Sequence, residues 1–254
     1  MDKIIPYYRD RLGIDLENLE HPISKLVDVA LRISGLEQIV VKQRLRMIGL
    51  ALMEIKDYDA NLYEFYLKKI VNNADISVNG FFFEVIQCSN LIKTSQEEKI
   101  IFKFGDHNLD EPDFFLDDCG FELTTIRFAE KSNKRNADQK LLSKFREKNK
   151  KKYANKDTLL LIEITQVVHY ANQPEYKPSI GFKNLLKIIS SESKFGVVLC
   201  YVENTVVVPE TIHFKGTVHP AYGNECSQKL QNVIQKITKG RRNEFPDIPY
   251  VSPF

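Results

Sequence analysis

The stretch Glu-Pro-Asp-Phe-Phe-Leu-Asp-Asp-Cys-Gly-Phe-Glu-Leu-Thr-Thr, residues 111–125, decides how the chain is interpreted. Two short apolar runs, Phe114 to Leu116 and Phe121 to Leu123, flank the turn-forming residues Asp-Asp-Cys-Gly. The segment therefore predicts a β-hairpin. Because side chains alternate between the two faces of a strand, the hairpin can bring Asp113 of its first strand beside Glu122 of its second.

Two carboxylates placed side by side need a compensating charge. A buried carboxylate is unfavourable unless it is protonated, paired or bound to a metal ion. Ligands that are all oxygen suit Mg²⁺ or Mn²⁺. The alternative is an ordinary surface hairpin, in which Asp113 opens the strand and Glu122 lies on a solvated face.

Pro112-Asp113, followed after eight residues by Glu122-Leu123-Thr124, resembles the signature of the PD-(D/E)xK nuclease superfamily, the active-site hairpin of the restriction-endonuclease-like fold. The resemblance implies that Asp113 and Glu122 bind Mg²⁺ or Mn²⁺, with the backbone carbonyl of Leu123 as a further ligand. In that family a lysine two residues after the glutamate helps to activate the attacking water. This chain has Thr124 there, which leaves open whether activity is retained.

A predicted helix after the hairpin offers replacements for that lysine. Residues 137–153 carry an apolar stripe at helical spacing. Four lysines follow beside the stripe at intervals of three or four residues: Lys140, Lys144, Lys148 and Lys151. Some nucleases that resemble this family carry the catalytic lysine on this helix, and Lys140 and Lys144 are the candidates because they border the buried stripe. Alternatively, all four lysines only contact phosphates or solubilise the helix.

The net charge of +2 conceals a strong segregation of charge. Residues 131–156 include eleven basic and two acidic residues, which leaves 25 basic and 32 acidic residues elsewhere in the chain. Such a concentration of cations indicates a polyanionic partner, although a solvated helix face gives the same pattern. We expect Lys148, Lys151 and Lys152 to contact the backbone of a nucleic acid, with DNA favoured over RNA.

The chain before the hairpin is predicted to be helical. Apolar residues at helical spacing predict three helices at about residues 23–33, 37–57 and 60–72, with no catalytic spacing among them. The apolar run at residues 81–87 is compatible with a helix or a strand. In the nuclease family the core opens with a helix whose acidic residue faces the metal, so a helix here would make Glu84 a third ligand.

The chain around and after the hairpin predicts alternating strands and helices. Residues 100–104 predict the first core strand, and the apolar run at residues 158–166 predicts a central strand after a crossover helix. Glu163 in that run heads a second Glu-x-Thr, but the Pro112-Asp113 pair favours Glu122 as the ligand. Helices are predicted at about residues 180–190 and 225–239, and a hairpin turning at Glu203-Asn204 is predicted between them.

These elements predict an α/β (α+β) protein. A helical region would occupy residues 1–75, and a restriction-endonuclease-like domain with an αβββαβ core and a mixed central sheet would occupy residues 76–254. The resemblance implies a metal-dependent DNA endonuclease, such as a restriction or defence enzyme. The alternatives are a catalytically inactive relative that binds DNA or a protein, and a nuclease directed at RNA.

Composition adds limits to these expectations. The chain is 43% hydrophobic and 28% charged and has no apolar run long enough to span a membrane. Its first residues lack a signal-peptide core, which favours a cytoplasmic protein. Four scattered cysteines indicate neither a zinc site nor a disulfide framework. The helical region is the expected surface for a homodimer.

Overall fold

The structure, a computed structural model, describes residues 1, 3–17, 22–72, 78–106, 109–128, 136–208 and 211–238. The chain forms two compact units: Met1–Glu97 with Thr205–His213, and Glu98–Asn204 with the chain from Phe214 onward. An N-terminal set of helices and a mixed β-sheet confirm the expected α/β (α+β) class. None of the described helices is long and apolar enough to cross a membrane.

The first unit consists mainly of helices that bury one apolar side. In the longest of them, Leu45, Ile48, Leu52 and Ile55 repeat at helical spacing and are fully buried. The hydroxyl of Tyr8, in a π-helical turn at Tyr8–Leu12, donates to the Leu45 carbonyl at 2.7 Å. The helices are α1 (Ile4–Tyr7), α2 (Pro22–Arg32), α3 (Gly35–Tyr58), α4 (Ala60–Asn72) and α5 (Val78–Glu98). The three predicted helices are confirmed, and residues 81–87 are helical.

The strands form one six-stranded sheet in chain order. β1 pairs antiparallel with β2, and β2 with β3, whereas β3, β4 and β5 run parallel. The strands are β1 (Phe102–Phe104), β2 (Phe114–Leu116), β3 (Cys119–Thr125), β4 (Thr158–Glu163), β5 (Val197–Val208) and β6 (Thr211–Tyr222). Between and after them lie α6 (Ala137–Lys148), α7 (Thr165–Ala171), a 3₁₀ turn (Pro174–Tyr176), α8 (Phe182–Glu192) and α9 (Gln228–Thr238).

The hairpin of β2 and β3 is confirmed, and its turn has two residues. Leu116 pairs with Cys119, so only Asp117 and Asp118 lie in the loop. Both have positive φ, 47° and 62°, which is the backbone of a type I′ turn and matches the twist of the flanking strands. The Asp117 carboxylate also accepts the Ile101 N–H at 2.9 Å, which ties the turn to the start of β1.

Helix α6 covers one face of the sheet beside β3 and β4. Leu141 and Phe145 of α6 pack in one buried cluster with Leu160 and Ile162 of β4. The parallel register aligns Leu160 with Glu122, and Ile162 with Thr124. Aligned residues of neighbouring strands share a face. Glu122 and Thr124 therefore point toward the layer that α6 forms.

Three predicted boundaries were wrong. β5 runs without a break through Glu203 and Asn204, so the predicted turn there does not exist. Residues 209–210, between β5 and β6, lie outside the described residues. β4 ends at Glu163, because α7 begins at Thr165 and Glu163 accepts the Thr165 N–H at 2.7 Å. α6 ends at Lys148. The Asn149 N–H still donates to the Phe145 carbonyl, and the Asn149 side chain donates to the Glu192 carbonyl and accepts the Lys194 N–H.

Candidate active site

Asp113 and Glu122 lie at the open end of the hairpin. The register pairs Phe114 with Phe121; Asp113 stands directly before β2, and Glu122 is the next residue of β3. Residues that flank a two-residue loop form a hydrogen-bonded pair, and such pairs alternate with non-hydrogen-bonded ones. One further step of this alternation corresponds to a non-hydrogen-bonded position, at which side chains of the two strands share a face. The hairpin therefore places the two carboxyl-bearing side chains together.

The main chain of Leu123 adds an oxygen to this group. The Leu123 N–H donates to Asp113 Oδ2 at 2.6 Å. The N–H and C=O of a strand residue point to the same neighbouring strand, so the Leu123 carbonyl also faces the side of Asp113.

Gly105 fixes the main chain of Pro112 and Asp113. Its N–H donates to the Asp113 carbonyl at 2.9 Å, and a Cβ at this position would overlap the carbonyl oxygen of Pro112. Only glycine allows so close an approach of two backbones. The end of β1 therefore determines where Asp113 stands.

Glu122 is buried, and Lys148 compensates its charge. The side chain of Glu122 is 4% exposed and that of Lys148 is 18% exposed. Lys148 Nζ lies 2.5 Å from Glu122 Oε1. Lys148 is the last residue of α6 and continues the buried stripe of Leu141 and Phe145 at spacings of four and three residues. The helix that covers Glu122 thus positions a cation beside its carboxylate.

Tyr153 is a second donor to Glu122. Its pKa is raised above the ordinary value for tyrosine, first by burial and then by the charge and hydrogen bond of the Glu122 carboxylate. The charges of Asp113 and Asp110 raise this pKa further. The phenol therefore stays protonated, as a neutral donor, over the physiological pH range.

The other lysines of α6 and the following loop lie around this group. Lys144 Nζ bonds to Glu147 at 2.9 Å, and Lys140 Nζ lies 4.1 Å from the centre of the Phe128 ring. Lys151 Nζ lies 3.0 Å from Asp110 Oδ1, and this hydrogen bond raises the pKa of Lys151. Lys148, for which the sequence predicted a phosphate contact, is thus the lysine that reaches Glu122. The catalytic roles predicted for Lys140 and Lys144 remain predictions.

Two further glutamates, Glu84 and Glu163, lie elsewhere in the fold. Glu84 belongs to α5 in the first unit, where it lies 2.7 Å from Lys69 Nζ. Glu163 is aligned with Thr125, and strand alternation places it on the opposite face from Glu122. Arg127 forms an ion pair with the buried Glu163. Glu163 is therefore held on the far side of the sheet, while the role of Glu84 stays a prediction.

The donor set can be compared with the needs of a metal ion. Among the described residues, no group of three or more His, Cys, Asp and Glu side chains is arranged to hold a metal. Mg²⁺, however, is commonly bound through one or two carboxylates, with water and substrate phosphates completing its shell. Asp113, Glu122 and the Leu123 carbonyl offer oxygen ligands of that kind. The residues therefore fit a magnesium or manganese ion that shares its shell with substrate.

Lys148 was predicted only to contact phosphate, and Tyr153 was not predicted as a site residue. The helical spacing of Lys148 could have indicated its role, because this residue falls on the buried stripe of α6 rather than beside it. Tyr153 follows the helix by five residues and reaches Glu122 only because the chain turns at residues 149–152. Helical spacing could have identified the first residue but not the second. Lys131, Lys134 and Arg135 of the basic segment lie outside the described residues.

Comparisons of this chain with protein-family models, with curated proteins and with solved structures found no match.

Proposed function

We propose that this protein is a metal-dependent nuclease that hydrolyses phosphodiester bonds in DNA, with its reacting centre at Asp113 and Glu122. The observation that carries the proposal is the Asp113 carboxylate bonded to the N–H of Leu123, the residue after Glu122, together with a lysine held against the buried Glu122. The element order β1, β2, β3, α6, β4 of the second unit supports it, because it matches the βββαβ part of the restriction-endonuclease-like core. Thr124 remains the departure from the PD-(D/E)xK signature.

In this proposal Asp113, Glu122 and the Leu123 carbonyl hold the ion. When bound, Mg²⁺ or Mn²⁺ supplies Lewis-acid stabilisation of the phosphate and activates water at neutral pH. Lys148 takes the role of the absent motif lysine, because its ammonium group is fixed beside Glu122. A fixed cation stabilises the negative charge that develops on the phosphoryl oxygens in the transition state. Tyr153, as a protonated donor, orients the Glu122 carboxylate.

One observation favours a second candidate function. Lys148 and Tyr153 satisfy Glu122 within the protein itself, so the group is stable with no ion bound. A catalytically inactive relative that only binds DNA or a protein would also need a group that is stable without an ion. The two candidates differ in whether Asp113 and Glu122 bind a metal.

Cleavage and metal binding test the proposal together. Purified protein with Mg²⁺ or Mn²⁺ should cut long DNA of diverse sequence, and Asp113→Ala and Glu122→Gln should each abolish cutting while DNA binding remains. The same variants should lose Mn²⁺ binding measured by titration calorimetry. The control is Asp118→Asn, which removes an exposed carboxylate from the turn of the same hairpin and should leave both readouts unchanged.

Parallel reactions with RNA decide the substrate. Cutting of RNA and not DNA would replace the proposal by an RNA-directed nuclease. Folded protein that binds DNA but neither binds Mn²⁺ nor cuts either substrate would establish the inactive binding module. Lys148→Ala should lower cleavage by about 10²-fold or more if its charge acts in the transition state, whereas Thr124→Ala should have a small effect.

A further inference from the structure

Four exposed lysines come together on the loop that follows α6. Lys150, Lys152 and Lys156 lie on the connection between α6 and β4. The structure adds Lys194 from the connection between α8 and β5, because Asn149 Oδ1 accepts the Lys194 N–H at 2.8 Å. The Gly196 N–H also donates to the Asn155 carbonyl at 3.0 Å, which joins the two connections. We call Lys150, Lys152, Lys156 and Lys194 the loop lysines.

The loop lysines differ in their pairing from the cations of α6 and its end. Lys144 is bonded to Glu147, Lys148 to Glu122, and Lys151 to Asp110. Arg146 forms a two-point pair with Glu192, at 2.6 and 2.8 Å. In the part of the chain that the structure describes, the loop lysines have no ion-pair partner. Much of the charge on α6 is thus neutralised locally, and the net positive charge lies on the loop.

We propose that the loop lysines form the surface that holds the phosphate backbone of DNA next to the reacting centre. A lysine already paired with a fixed carboxylate contributes little net field to a phosphate, because the carboxylate repels that phosphate. When an unpaired, exposed lysine binds a phosphate, it gives up only water and counterions. Lys150 follows Lys148 by two residues, so a backbone held on the loop passes close to Glu122. Of the contacts predicted from sequence, Lys152 belongs to this surface, whereas Lys148 and Lys151 are paired.

This inference depends on the proposed function for the choice of DNA as the polyanion, but it is tested without cleavage. Binding of a fluorescently labelled DNA duplex of mixed sequence is measured in EDTA at a series of salt concentrations. Each phosphate contact that is lost should reduce the slope of log K against log salt by about 0.9. Lys150→Ala with Lys152→Ala should therefore flatten the slope by nearly two units, and adding Lys156→Ala and Lys194→Ala should flatten it further.

The control is a double variant that removes a paired cation together with its partner. Arg146→Ala with Glu192→Ala deletes a cation from the same region, leaves the net charge unchanged, and should keep the wild-type slope. Equal flattening by the control, or an unchanged slope in the four-lysine variant, would overturn the inference. All replaced side chains are exposed or half-buried, so circular dichroism should show folded protein throughout. A failure of the proposed function would appear instead in cleavage and Mn²⁺ binding, which this experiment does not use.

Discussion

At the scale of single residues, the site depends on one buried ion pair. Glu122 and Lys148 are both largely removed from water, and Glu122 is joined by Tyr153 and faces Asp113 across the hairpin. A buried charge that loses its partner is strongly destabilising, whereas a pair replaced together by neutral groups often is not. The same contact that could serve catalysis is therefore also a contact on which the fold depends.

We expect Lys148→Met to lower the free energy of unfolding by about 3 kcal/mol at neutral pH, because the buried Glu122 would lose the partner that compensates it. Glu122→Gln in the same chain should recover most of that loss. Urea denaturation of the two single variants and the double variant measures the coupling between the residues. Additive effects of the two substitutions would show that the pair has no role in stability.

Tyr153 predicts a dependence on alkaline pH. Its pKa in the folded protein is raised by burial and by Glu122, so the unfolded chain releases the phenol proton first. The stabilisation is complete below the unfolded pKa of about 10 and is lost as the pH rises above it, by roughly 1.4 kcal/mol per pH unit.

The stability advantage of the wild type over Tyr153→Phe should therefore shrink above pH about 10. Chemical denaturation of the two proteins at several alkaline pH values checks this. The pH-dependent contributions of the other buried tyrosines, such as Tyr8 and Tyr63, cancel in this difference, because both proteins contain them. A constant difference between the two proteins across this range would mean that Tyr153 titrates normally.

At the scale of elements, the position of β1 against β2 controls the site. Gly105→Ala would drive a methyl group into the Pro112 carbonyl, and the backbone must shift to relieve the overlap. We expect a loss of about 2–3 kcal/mol in stability and, because Asp113 would move with Pro112, a loss of Mn²⁺ binding. Calorimetric titration and urea denaturation of the same preparation measure both effects.

Gly181→Ala is the matched control for this substitution. A Cβ at Gly181 meets nothing within 4 Å, and the φ of −66° suits any residue. The free energy of unfolding and Mn²⁺ binding should both stay close to wild type. If Gly105→Ala behaved like this control, the close approach of β1 would not position Asp113.

At the scale of the whole molecule, two regular elements belong to both compact units. β5 contributes residues 205–208 and β6 residues 211–213 to the first unit, and the remaining residues of both strands belong to the second. Hydrogen-bonded strands that continue from one unit into the other cannot unfold in one unit without disturbing the ladder of the other. The two units are therefore expected to unfold together.

Tyr8→Phe tests this expectation, because it removes the hydrogen bond to the Leu45 carbonyl in the first unit. It should lower stability by about 1 kcal/mol, and the loss should appear equally in the helices of the first unit and in the amides of β3 and β4. Hydrogen exchange resolves the two sets of amides. Protection lost only in the first unit would indicate independent unfolding. Tyr222→Phe, at a half-exposed position, should alter neither set.

The sequence by itself determined the elements whose residues signal their structure locally. Apolar spacing predicted α2, α3 and α4, because burial of one helix face repeats every three or four residues. The hairpin of β2 and β3 followed from two apolar runs around a pair of aspartates that tolerate positive φ. Once the turn is known, the pairing of Asp113 with Glu122 follows from counting residues back from it.

Only the tertiary structure decided the features that depend on residues distant in the chain. The continuity of β5 through Asn204 comes from its neighbours in the sheet, which override the turn preference of a single asparagine. Lys148 was predicted to contact phosphate because its row of lysines looks uniform in sequence. Packing of α6 over β3 makes it, among the described lysines, the one that forms an ion pair with Glu122. Lys194 joins the loop lysines through the hydrogen bonds of Asn149, 45 residues away. Local propensity specifies elements, whereas the partners of a charge are set by where those elements pack.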